Sequence, residues 1–108
     1  MASNLKVGSY TGTGAAINIE LGFVPDYVRV WNATDGDASW EWFYGMGAGD
    51  VLATANHDTA QQSLVTSNGV DAYDPTDFSH KAGFTVGTAL SESGKTFRYV
   101  AIRTGVYD

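Results

Sequence analysis

The chain has 108 residues, no cysteine and a formal net charge of −6 at pH 7. That is enough for one domain with one modest core, burying about 65% of the unfolded surface. It leaves no disulfide staple and argues against nucleic acid or an anionic membrane as partner, because both reward a basic patch and the six Lys and Arg are scattered.

Fourteen aromatics (three Trp, six Tyr, five Phe), thirteen glycines and only 17% charged residues favour strands joined by tight turns over helices. Residues 6–10 read as a first strand and Thr11-Gly12-Thr13-Gly14 as a turn. Residues 15–21 alternate, with Ile17, Ile19 and Leu21 on one face and Ala16, Asn18 and Glu20 on the other. That period marks a half-buried strand, expected to form a hairpin with the first. Pro25 cannot donate to a ladder and belongs at a strand start. A strand is therefore expected over 26–32, with Val28 and Val30 facing one way and Tyr27, Arg29 and Trp31 the other.

Asn32 to Ala38 reads as a polar turn around Asp35-Gly36-Asp37, and 39–44 as a strand with Trp40, Trp42 and Tyr44 on one face. Residues 50–62 are expected to form a long loop, with a helical turn as the alternative. Residues 64–66 and 70–73, split by Asn68-Gly69, are expected to form a hairpin with the favoured two-residue turn. Asp74-Pro75-Thr76-Asp77 reads as a turn, 84–87 as a strand, Ser91 to Gly94 as a turn and 96–103 as the last and strongest strand. About seven to eight short strands, with turns every 8–12 residues or so, point to an all-β fold. The expectation is a single compact antiparallel β-sandwich or barrel domain over 1–108.

Tests for chemistry are mostly negative. The glycine runs at 12–14 and 45–49 lack the Gly-Lys-Ser/Thr of a phosphate loop and the third glycine of a dinucleotide fingerprint. Gly-x-Ser-x-Gly is absent, and His57 and His80 lie far apart in polar stretches without zinc spacing. Asp71, Asp74 and Asp77 are the best oxygen-ligand set for Ca²⁺, but the EF-hand spacing is missing, so a solvated acidic loop is preferred. No enzyme activity, cofactor or metal is expected. No run approaches the ~20 apolar residues of a membrane span, and the N-terminus lacks the pattern of a signal peptide.

The informative positive feature is the aromatic excess. Tyr27, Trp31, Trp40, Trp42 and Tyr44 fall within eighteen residues. The strand over 26–32 is apolar or aromatic on both faces, which a sandwich strand with one wet face does not require. One reading folds a long loop, such as 45–62, over the outer face. The other makes Tyr27, Trp31, Trp40 and Trp42 a protein–protein interface, where Trp and Tyr are enriched. A sugar-binding Trp platform is a third.

Two stretches carry a resemblance. One is Tyr10-Thr11-Gly12-Thr13-Gly14 followed by Ile17 to Val30, with Gly22-Phe23-Val24-Pro25-Asp26 at its centre. The other is Gly83-Phe84-Thr85-Val86-Gly87 followed by Ser93-Gly94-Lys95-Thr96-Phe97-Arg98-Tyr99-Val100-Ala101-Ile102-Arg103. Together they resemble small β-rich modules of tailed-bacteriophage virion proteins, which occur in head decoration proteins and in tail-fibre or appendage proteins. The resemblance covers a third to a half of the chain and carries no catalytic residues. It implies a capsid decoration (cement) protein on the outer head surface, assembled in the host cytoplasm, with the major capsid protein and further copies of itself, as a homotrimer, for partners. The alternative it implies is a tail-fibre or receptor-binding module that recognises host-surface glycans.

Overall fold

In the computed structural model, which describes residues 4–55 and 61–104, the alternating segments become nine strands among those residues. They are β1 (Asn4–Thr11), β2 (Ile17–Glu20), β3 (Tyr27–Asn32), β4 (Ala38–Phe43), β5 (Val51–Ala55), β6 (Gln61–Val65), β7 (Val70–Tyr73), β8 (Gly83–Val86) and β9 (Thr96–Arg103). All pairings are antiparallel. A six-stranded sheet runs β1-β9-β3-β4-β5-β6 and a three-stranded sheet β2-β8-β7. The two pack as a β-sandwich, as the spacing of strands and turns predicts.

The core follows from the pleat. Ile17, Ile19, Phe84, Val86 and Val70 of the small sheet face Val28, Val30, Trp42, Phe97, Tyr99 and Ala101 of the large one. A 3₁₀ turn, Thr88–Leu90, brings fully buried Leu90 into the same cluster. The Tyr10 hydroxyl donates to the Leu90 carbonyl at 2.7 Å, and burial pushes that phenol far above its ordinary pKa. The outer face of the small sheet is polar: Thr85 donates to Asn18 at 2.7 Å, with Glu20 and Asp71 alongside.

Three local expectations are corrected. β1 and β2 form no hairpin, since β1 pairs along its whole length with β9 and β2 pairs with β8. The turn between them is tied to another turn instead. Gly12 donates to the Lys95 carbonyl, Gly94 donates back to Gly12, and Gly14 donates to Ser91. A Cβ on Gly12 would collide with the Glu92 carbonyl oxygen, so only glycine permits the approach that carries the chain from one sheet to the other.

The Asn68-Gly69 turn is real, with Asn68 at φ 61°. It links β6 of the large sheet to β7 of the small one, so it too is a crossing and not a hairpin. The loop expected over 50–62 contains β5 and the start of β6, a hairpin on the edge of the large sheet. β5 is apolar on both faces: Val51 is fully buried and Ala53 lies opposite the bulky Trp40, while Leu52 points the other way. Its consecutive apolar residues hide the period of two.

Position in the pleat decides what each phenylalanine contributes. Phe84→Ala, in the centre of the core, is expected to lower unfolding free energy by about 3–5 kcal/mol. Phe78→Ala, at a fully exposed loop position, is expected to change it by less than about 0.5 kcal/mol. Urea unfolding followed by Trp fluorescence checks both, and equal losses would contradict this core.

Candidate functional site

The residues that leave the core on one side must appear on the other. On the outer face of the large sheet the registers align three rows across the strands. Leu5, Ile102, Tyr27 and Phe43 make the first; Val7, Val100, Arg29, Glu41, Leu52 and Leu64 the second; Ser9, Arg98, Trp31, Ser39, Thr54 and Gln62 the third. Two rows are thus largely apolar. No described segment folds over them: Leu5 is 64% exposed, Val7 67%, Leu64 57% and Phe43 46%. The outer face of the large sheet thus exposes apolar side chains from several strands, with Arg29 and Glu41 among them.

Side-chain contacts tie its middle together. The Phe43 and Tyr27 rings meet at 5.1 Å between centroids. The Tyr27 hydroxyl donates to Glu41 Oε2 at 2.6 Å. Arg29, the register partner of Glu41, places its guanidinium 5.7 Å from the centre of the Trp31 ring, a cation–π distance. Beside Trp31 lies a hollow of about 330 Å³ lined by Arg29, Asn32, Gly36, Ala38, Ser39 and Thr54. Partial burial, followed by the bond to Glu41, pushes the Tyr27 phenol up to about 12.

The four aromatics expected at an interface divide between the faces. Tyr27 and Trp31 stand on the uncovered face, each half-buried by its neighbours. Trp40 and Trp42 point inward. Trp42 is 3% exposed in the core and Trp40 packs on Phe97 at 6.0 Å between centroids. The register explains the split, since Trp40 pairs with Val30 and Trp42 with Val28, the inward residues of β3. Within the segment that could have covered the face, β5 and β6 extend the sheet sideways instead.

The sequence reading missed Leu5, Val7, Phe43, Leu64, Val100 and Ile102 as members of the face. A signal was available in β9, where Val100 and Ile102 alternate with core residues Tyr99 and Ala101.

Elsewhere several polar groups have structural partners. Asp71 accepts the Gly49 N–H at 2.7 Å, and Asp77 accepts Ser79 and His80 in an Asx-type turn. Among the described residues no three of His, Asp or Glu converge as a metal site. His57 lies outside the described residues. His80 stands 3.2 Å from Glu20, whose carboxyl is held below its ordinary value by the Lys81 N–H first and by His80 next. No helix of the described structure is long and apolar enough to cross a membrane. Comparison with protein-family models, with curated proteins and with solved structures gives no match.

Tyr27 makes the face sensitive to alkali. An ordinary tyrosine titrates near ~10, whereas folded Tyr27 keeps its proton to about 12. Between those values the native state binds more protons than the unfolded chain, so the contribution present below pH ~10 is lost as pH rises toward ~12. Burial raises Tyr10 and Tyr99 in the same direction. Tyr27→Phe is expected to show a shallower loss of stability over that window, read from urea unfolding at stepped pH. An unchanged slope would contradict the hydrogen bond to Glu41.

Proposed function

We propose that this chain is a non-catalytic structural protein of a tailed-phage virion: a capsid decoration (cement) protein that binds the outer head surface and associates with further copies of itself. The observation that carries this reading is how the two phage-like stretches meet. They lie some fifty residues apart in the chain, yet β2 registers against β8 along its whole length and all of β3 registers against β9. The joints repeat the pattern. Asp26 donates to the Ile102 carbonyl, Leu21 and Gly22 donate to Ala82, and the Gly12 and Gly94 turns bond to one another. The resembling residues are therefore the fold-making residues of one contiguous body, to which β4, β5, β6 and β7 are added.

An uncovered apolar sheet and a net charge of −6 suit assembly against protein surfaces better than turnover of a small substrate. We assign the head contact to the loop after β7, where Phe78 stands fully exposed and offers an aromatic side chain to a pocket on a partner. A tail-fibre or receptor-binding module is the second reading. It is favoured by the hollow beside Trp31, whose ring and polar rim suit a sugar.

Mixing the purified protein with decoration-free capsids separates the two. Saturable, stoichiometric binding is expected, and Phe78→Ser is expected to weaken it at least about tenfold without lowering the unfolding temperature. Absence of capsid binding, with a glycan-array signal that Trp31→Ala abolishes, would move the protein to the tail.

A further inference from the structure

We infer that two copies of this chain pack the outer faces of their six-stranded sheets together, about a two-fold axis that runs parallel to the strands between β3 and β4. The pairing goes beyond the virion reading and does not rest on it. It takes the place of the homotrimer expected by analogy, because a flat face cannot meet itself around a three-fold axis, whereas an isologous two-fold contact is that meeting.

The rows are self-complementary. The middle row reads, across the sheet, Val100, Arg29, Glu41, Leu52, with Val7 and Leu64 outside them. Turned about an axis between β3 and β4, Arg29 lies against the partner's Glu41, and Val100 against the partner's Leu52. In the other rows Tyr27 lies against the partner's Phe43. Trp31 lies against the partner's Ser39, a small residue bordering the hollow. Apolar meets apolar, cation meets anion and large meets small. An axis across the strands would instead set Arg29 against the partner's Arg29 and Glu41 against the partner's Glu41, which like-charge repulsion disfavours. Sheet twist displaces the edge strands, so the four central strands define the contact.

A further observation agrees. Arg29 and Glu41 are register partners but form no ion pair with each other. Arg29 leans over Trp31 while Glu41 takes the Tyr27 hydroxyl, so each charge keeps capacity for a partner. The area is that of a small interface. Four central strands spaced about 4.8 Å apart and three rows about 6.8 Å apart make a face of about 19 × 20 Å. Two such faces bury on the order of 800 Å² before side-chain relief is counted, the low end of protein–protein contacts, so the matched charges carry the specificity of the pairing.

Light scattering and native mass spectrometry at micromolar concentration are expected to give twice the 11.5 kDa chain mass; a monomer or a trimer would overturn the pairing. Charge reversal then tests the register. Arg29→Glu and Glu41→Arg are each expected to be folded by circular dichroism and monomeric alone, since each sets like charges together twice. Mixed one to one, they are expected to form the heterodimer, in which both contacts become attractive. Two folded variants that stay monomeric on mixing, or that dimerise alone as well as the wild type does, would refute the register. Ser39→Trp, which fills the place assigned to the partner's Trp31 without touching the core, is expected to weaken the dimer at least about tenfold at unchanged monomer stability. Undiminished dimerisation of that variant would also count against it.

Discussion

The structure hangs on an aromatic contact between its two layers. Phe84 of the small sheet meets Tyr99 of the large one edge to face, with centroids 5.3 Å apart, a geometry that aligns the positive ring edge with a negative face. From Tyr99 the packing continues through Tyr10, whose ring is 6.5 Å away and lies nearly parallel to Phe97 at 5.2 Å. Trp40 then closes on Phe97. Gly8 makes room for this seam: it is the register partner of Tyr99, and a Cβ there would meet the Tyr99 hydroxyl at 2.5 Å. Two layers of three and six strands are held by rings that reach across the gap, without any disulfide.

The inequality of the layers has a consequence for the surface. Three strands cover the middle of a six-stranded sheet on one side only. The pleat sends every second residue to the other side, and in β1, β3, β4, β5, β6 and β9 many of those residues are apolar. The same alternation that builds the core therefore builds the uncovered face. Trp42 and Phe43 are neighbours in the chain, yet one is 3% exposed and the other 46%. The two sides of the large sheet also differ in kind. The core side keeps its charges, Lys6 and Arg103, at one end and outside the buried cluster, whereas the outer side carries Arg29 and Glu41 at its centre, where they lend direction to a contact that hydrophobic area alone would leave unoriented.

The small sheet ends differently. Its outer face is polar and hydrogen-bonded through Thr85 and Asn18, and Glu20 is engaged by Lys81 and His80. The molecule thus presents one apolar and one hydrophilic broad face. Such an asymmetry suits a module that joins its own copies on one side and leaves the other side wetted or free for a second partner.

Much of this was legible in the sequence. The alternation of 15–21, the β-branched and aromatic run of 96–103 and the break at Pro25 specify strands by local physics, and the all-β class follows from their spacing. Composition and the absence of nucleophile, base and ligand spacings set the expectation of a non-catalytic protein. The double-sided character of β3 was legible too, and with it Tyr27 and Trp31. Pairing was not, because a turn such as Thr11-Gly12-Thr13-Gly14 looks the same whether it closes a hairpin or hands the chain to another sheet. Only the fit of Gly12 against Glu92 and Lys95 decides between them. Nor could the sequence tell which face of 39–44 looks inward. Trp40 and Trp42 are core, and Phe43 is surface, because β4 registers against β3 so that the tryptophans join Val28 and Val30. Local propensity is carried by neighbours along the chain, so the sequence by itself determined the strands. Partners in a sheet are brought together from distant segments, so the tertiary structure alone decided the registers, the sides and the rows that make a face.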